Sequence, residues 1–206
     1  TFLFKPSEET QAREAAEFTA SNADSEINVG IVYGTAQADS NRAHAYKQHI
    51  ERLTGQEVGL MLRIDVQGAQ GFLDKIRKIL NPPPKNTEEE EEDTEPEANP
   101  LEGLTHIYVA SKDALIAANF LSAVEMCKLK VCVIGHEAWL RQSTSSFDQL
   151  RRCKLHMVAP NYIDYSQPAI YDFRKAYYTH YTQYPDDYAC TGYEMLLLLG
   201  NMLTQQ

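Results

Sequence analysis

The stretch that decides the fold runs from Thr105 to Trp139: THIYVASKDALIAANFLSAVEMCKLKVCVIGHEAW. Thr105–Ala110 is a short β-rich apolar run, and Ser111 reads as a cap for the helix that follows, with Lys112 and Asp113 in its first turn. From Ala114 to Met126, the apolar residues Leu115, Ala118, Phe120, Leu121, Val124 and Met126 approach helical spacing and predict one buried face. Val131–Ile134 is a continuous apolar run, as expected of a strand covered on both sides, and Gly135 ends it. Strand, helix and strand at this spacing predict a right-handed βαβ crossover in a parallel sheet. Ligands of such sheets meet the carboxyl ends of the strands. Here those ends are Ala110-Ser111-Lys112 and Gly135-His136-Glu137.

Outward from this unit the pattern repeats. Ser7-Glu8-Glu9 opens a helix with a cap and two acids suited to its positive end, and Ala12, Ala15, Ala16 and Phe18 supply its inner face. Ile27–Tyr33 predicts a strand, Gly34–Ser40 a loop capped by Asp39 or Ser40, and Asn41–Leu53 a helix with Ala45, Ile50 and Leu53 partly inward, stopped by Gly55. Val58–Ile64 predicts a strand and Gly68–Leu80 a helix. After the central unit come a short helix within Gln142–Leu150, a strand at Leu155–Ala159 and a helix from Pro168 to about Tyr181, capped by Ser166 or Gln167. Ile170, Phe173, Tyr177 and Tyr178 form the apolar side of that helix, and a final apolar helix spans Ala189–Leu203. About five strands, each followed by a helix or turn region, predict an α/β fold: a parallel sheet flanked by helices on both faces. The apolar Thr1–Pro6 segment reads as an entering strand or hinge, and Asn22–Glu26 as a polar turn.

The 206 residues suffice for one good core. The net charge of -10 has a local origin: of 29 acidic residues, eight lie between Glu88 and Glu97, leaving 21 to face 19 basic ones. The remainder is nearly neutral, which argues against a nucleic-acid surface. The segment 82–100, PPPKNTEEEEEDTEPEANP, combines prolines, like charges and no large apolar residue, and predicts a disordered insertion. No apolar run approaches the ~20 residues a membrane helix needs. Cys127, Cys132, Cys153 and Cys190 lack ligand spacing and read as buried thiols, with one disulfide an alternative.

Catalytic patterns are absent from the sequence. The Ile27 strand is followed by Gly34-Thr35-Ala36-Gln37 rather than GxGxxG, and neither a phosphate loop nor a GxSxG elbow occurs. His136-Glu137 begins like a zinc-protease helix, but position 140 is Leu, and the six histidines have no ligand spacing. No catalytic residue, metal or cofactor is therefore assigned. The polar residues at strand ends remain: Thr35 and Gln37 after the first strand, Ser111 and Lys112 after the central one, His136 and Glu137 after the next. In a parallel sheet these loops share one rim. There Glu137 suits a ligand ammonium, and Ser111 or Thr35 a hydrogen bond to it. Each has a plainer reading: a helix cap for Ser111, a solvated charge for Lys112, a surface residue for His136, a loop acid for Glu137, a packing anchor for Trp139. The many tyrosines of the last third read as a wet core edge or, alternatively, an aromatic docking surface.

TFLFKPSEETQAREAAEF, then NVGIVYG and AHAYKQHIE with Gly55, resembles the second lobe of type I periplasmic solute-binding proteins, the branch of branched-chain amino-acid binding proteins and receptor ligand-binding regions. HIYVASKDALIAANFLSAVEM, VCVIGHEAW, LHMVAPNYIDY and YDFRKAYYTHYTQYPDDYACTGYEMLLLL continue the resemblance. It implies that residues 1–206 form one ligand-binding-like lobe of a longer two-lobe protein, closing by hinge motion on a first lobe that this sequence lacks. It also implies a periplasmic or cell-envelope location. By it, Glu137 falls where amino-acid binders place an acid for the ligand ammonium, Ser111 falls in a ligand-contacting loop, and Ala38 stands near a spot where the family often has an aromatic. Some envelope proteins of the Bacteroidetes type, with a peptidoglycan-binding LysM region ahead of a solute-binding-like domain, are similar as well. The partners expected are a small polar ligand, amino-acid-like or a cell-wall fragment. An envelope-protein partner of a scaffold is the alternative, and an α/β enzyme the third reading.

Overall fold

A computed structural model describes residues 6–22, 27–64, 74, 103–141 and 147–204. The expected first strand (all but Pro6), the helix Gly68–Leu80 apart from Asp74, the insertion 82–100 and most of the Asn22–Glu26 turn lie outside the described residues. The chain divides into two units, one of Pro6–Val158 and one that holds the chain from Ala159 onward.

The first unit is built on a five-stranded parallel sheet in the order β2-β1-β3-β4-β5, with β1 at Val29–Tyr33, β2 at Leu60–Arg63, β3 at His106–Val109, β4 at Cys132–His136 and β5 at Leu155–Val158. Val32 lies beside Val109, and Tyr108 beside Ile134, so the carboxyl ends of β1, β3 and β4 come out on the same edge. Helices α1 (Glu8–Ser21) and α2 (Gln37–Thr54) cover one face; α3 (Ala114–Met126) covers the other. The alternation of strand side chains divides the core accordingly. Val29, Ile31, Tyr108 and Ile134 pack with Ala12, Ala15, Ala16, Ala43, Tyr46 and Ile50, while Val32, Ile107, Val109 and Val133 pack with Ile116, Ala117, Phe120, Leu121 and Val124. Three alanines of α1 let it approach the sheet closely. Behind them Thr19 and Tyr46 share a buried hydroxyl contact at 2.7 Å, and Tyr46 stacks on Tyr108 at 4.2 Å between ring centres.

The strands and the three-layer arrangement agree with the sequence reading, but Gly135 does not end β4: the strand runs on through Gly135 and His136, which pair with Met157 and Val158 of β5. Several helix details differ as well. Ser7 caps α1 as expected, its hydroxyl accepting from the Thr10 amide at 3.1 Å. Helix α2 starts earlier, at Gln37, with Ala36 in the capping position and no side-chain cap, since a methyl group accepts no hydrogen bond; Asp39 and Ser40 lie inside the helix, and the Asp39 carboxylate is engaged with Arg42. Gly55 ends it in the left-handed region, φ 70°, and Leu53 faces outward. Helix α3 is capped by Asp113, whose carboxylate accepts from the Leu115 amide at 2.8 Å, not by Ser111. Its inner face is Ile116, Ala117, Phe120, Leu121 and Val124, so Leu115 and Met126 are exposed at 55% and 57%. After β4 comes a 3-10 turn, Glu137–Arg141, and then the short α4, Phe147–Arg152, tied to α3 through Arg152 and Glu125. All four cysteines are thiols; Cys153 and Cys190 are buried, Cys127 and Cys132 half-buried.

The second unit contains α5 (Pro168–Tyr181) and α6 (Asp187–Thr204). Pro168 opens α5, Gln167 precedes it without a side-chain cap, and Thr182 closes it at φ 56°. Phe173 of α5 stacks on Tyr193 of α6 at 4.1 Å, and Arg174 lies over the rings of Tyr165 and Tyr184. Ile170 and Cys190 are buried, whereas Tyr178 and the run Met195–Leu199 are exposed, Leu196 at 71%.

Candidate functional site

Because β1, β3 and β4 are neighbours and parallel, the segments that leave them are neighbours too: Gly34–Ala36, Ala110–Asp113 and the turn that begins at Glu137. All six candidate residues therefore sit on one rim, but they are employed differently. Thr35 and Gln37 are exposed, Gln37 donating to Asn41 Oδ1 at 2.9 Å within α2. Glu137 is half-buried at the start of the 3-10 turn.

Ser111 is 2% exposed; its hydroxyl accepts from the Asp113 amide at 3.2 Å and its carbonyl accepts from Trp139 Nε1 at 2.9 Å. Trp139 is the packing anchor expected of it, 6% exposed and seated over Gly135, where a Cβ would lie 2.0 Å from the indole ring. Gly34 is as tightly enclosed: a Cβ there would fall 2.4 Å from Asp39 Oδ2 and 2.8 Å from Ile116 Cδ1. The two glycines let a side chain close over each strand end.

Lys112, expected as a solvated charge or a ligand contact, is half-exposed and paired with Glu8 of α1. The second oxygen of Glu8 takes Arg42, which is 5% exposed and also bound to Asp39. Burial alone would raise the Glu8 carboxyl, but hydrogen bonds from Lys112 and Arg42, with their charges, outweigh it and hold the group below its ordinary value. His136, expected at the surface, is buried. The Ala138 amide donates to its Nδ1 at 3.0 Å, which leaves the ring proton on Nε2, facing Gln11 Oε1 at 3.3 Å. Burial, then the charge of Lys112, pushes the imidazole below its ordinary value and keeps it neutral at pH 7. Sequence reasoning missed Glu8, Gln11, Asp39 and Arg42 as members of this rim. Asp39 and Arg42 stand three apart on α2, a spacing that could have signalled their pairing, whereas the rim contacts of Glu8 and Gln11 reach 34 to 125 residues away and nothing local in the chain signals them.

Among the described residues, no group of three or more His, Cys, Asp or Glu side chains could hold a metal ion, and no helix is long and apolar enough to cross a membrane. The molecule is similar along 98% of its length to an ABC transporter substrate-binding protein from Desulfitobacterium hafniense in complex with Leu (TM-score 0.60, 17% identity), covering 51% of that chain. The chain has the fold of the type I periplasmic binding proteins. That fold extends to a putative branched-chain amino acid ABC transporter protein from Rhodospirillum rubrum, matched over 94% of this chain and 49% of that one (TM-score 0.61, 18% identity). It extends also to the C-domain of LpoA from Haemophilus influenzae, a regulator of PBP1A, over 82% of this chain and 46% of that one (TM-score 0.51, 11% identity). The chain thus spans about half the length of these type I chains. No protein-family model and no curated protein matches the sequence.

Proposed function

We propose that this chain is one lobe of an extracytoplasmic, non-enzymatic binding protein, and that its strand-end rim takes a small polar ligand of the amino-acid type. The observation that supports this reading is the juxtaposition of the β1, β3 and β4 ends, where Thr35 and Gln37 are exposed and Lys112 and Glu137 half-buried. In this reading Glu137 accepts the ligand ammonium, and Thr35 and Gln37 hydrogen-bond its polar groups. Lys112 uses at least one of its three N–H donors on Glu8 and can offer another. Ser111 and His136, buried and internally bonded, form the wall behind them. A single rim is one wall, and pockets bury most of a ligand's surface. The second wall belongs to the other lobe, and the ligand favours the closed arrangement by binding it better.

The test is a thermal-shift screen of amino acids, sugars and muropeptides on the full two-lobe protein. A saturable rise in Tm that shrinks in Glu137→Ala and Thr35→Ala supports the reading; no rise with any class removes it.

A second reading, an envelope scaffold or regulator binding a protein partner, draws on the likeness to the LpoA domain and on the exposed rings of Tyr162, Tyr165, Tyr171, Tyr181 and Tyr188. It predicts no small-molecule response and loss of partner binding when these tyrosines are replaced by serine.

A further inference from the structure

We propose that the first turn of α1 is a positioning element for the rim: Glu8 and Gln11 together set the directions of Lys112 and His136. The purpose of this device rests on the ligand-binding reading above, whereas its geometry stands without it. Glu8 and Gln11 are three residues apart, hence on one face of the helix. From that face Glu8 reaches Arg42 on α2 and Lys112 after β3, while Gln11 reaches His136 at the end of β4 at 3.3 Å. The carboxamide nitrogen of Gln11 donates to the Pro6 carbonyl at 3.0 Å, which fixes its orientation and presents its oxygen to the imidazole. One helical turn therefore touches the elements that follow β1 and β3 and the last residue of β4.

These contacts bridge 34, 104 and 125 residues of sequence, so they join segments that no local hydrogen bond connects. A lysine on a rim is otherwise a flexible four-carbon stem that samples many directions. Pairing with Glu8 restricts it to one. Arg42 makes the anchor stiff, because its guanidinium is buried and its other arm is occupied by Asp39. Glu8 is thereby held against an immobile cation and passes that constraint to Lys112.

Amide hydrogen exchange without any ligand tests this on the whole chain. Glu8→Gln keeps the shape of the side chain and removes its charge. The expected result is exchange about three- to fivefold faster at the Asp113 and Leu115 amides, the size expected for a half-exposed ion pair, with β3 and β4 core amides changed less than about 1.5-fold. Lys112→Gln, read from the other side, should speed exchange at Thr10 and Gln11 in the first turn of α1. Unchanged exchange at both places overturns the proposal, and so does equal acceleration throughout the sheet, which would make Glu8 a general stabiliser. Since no ligand enters the experiment, failure of the ligand screen leaves this result standing.

Discussion

Gly135→Ala is the substitution whose effect follows most directly from the packing. Gly135 lies in β4 with the ring of Trp139 folded over it, and an added Cβ would sit 2.0 Å from Cζ3, 2.2 Å from Cη2 and 2.8 Å from Cε3. Carbon atoms in contact prefer roughly 3.5–4.0 Å, so the ring must retreat by about 1.5 Å or the strand must bend. Neither is cheap, since Trp139 belongs to the core cluster beneath α3 and its Nε1 is bonded to the Ser111 carbonyl at 2.9 Å. Overpacking typically costs about 1–3 kcal/mol and the lost indole hydrogen bond about 1 kcal/mol more. The expected loss is therefore about 2–4 kcal/mol, a large share of the roughly 5–15 kcal/mol that holds a domain together. Urea unfolding followed by circular dichroism measures it. Trp139 is the only tryptophan in the chain, so the emission of the native protein reports the ring directly and should shift to the red as it leaves its apolar seat. Trp139→Leu in the same background should cost less than the two single changes added, because the clash is shared. An unchanged urea midpoint with unchanged emission would show that the indole does not close over Gly135.

Arg42→Met leaves Asp39 buried without its cation and should cost about 3–5 kcal/mol by urea unfolding, with Asp39→Asn in the same background recovering part of the loss. Stability should fall in two stages on acidification, measured as urea midpoints from pH 7.5 to 3.5. Burial, with lesser charge effects, holds His106 and His136 below the ordinary 6.5 in the fold, so the unfolded chain takes up protons first and stability drops as pH falls through 6.5 toward their folded values. Glu8, held below its ordinary 4.5, contributes stability that is present above 4.5 and lost as pH falls through its folded value. His136→Gln should flatten the first stage. Tyr46→Phe removes the donor to the Thr19 hydroxyl, which keeps its own bond to the Ala15 carbonyl at 2.8 Å; the expected cost is about 0.5–1.5 kcal/mol by the same unfolding measurement.

The strands were legible because the runs Ile27–Tyr33 and Val131–Ile134 combine β-branched and apolar residues without helical spacing, and because each is followed by a turn and a helix; the last two residues of β4, Gly135 and His136, were not, since a glycine and a histidine carry no strand signal. From that the parallel rim and its residues followed. The orientation of α3 was less legible. Apolar side chains occur all around it, so Leu115 and Met126 compete with Ile116 and Phe120 for the inner face, and packing against the sheet decides between them. Ser111 and Asp113 are both plausible caps from type alone; the carboxylate is the one whose oxygen reaches the Leu115 amide. The pairing of Glu8 with Lys112 had no signature, since an acid in a first helical turn has a sufficient local reason to be there and its partner lies 104 residues away. His136 looked like a surface residue because its place inside β4, and its contact with Gln11 of α1, are not signalled by the neighbouring sequence.

The central claim is that Thr35, Gln37 and Glu137 share an edge that receives a ligand. It is tested most directly by recording backbone amide spectra of the protein while titrating an amino-acid panel, first in the wild type and then in Glu137→Ala. Saturable shifts grouped at residues 34–38, 111–113 and 136–138, abolished by the substitution, are the predicted result. Shifts confined to the tyrosine-bearing helix α5, or a spectrum untouched by every member of the panel, would contradict it.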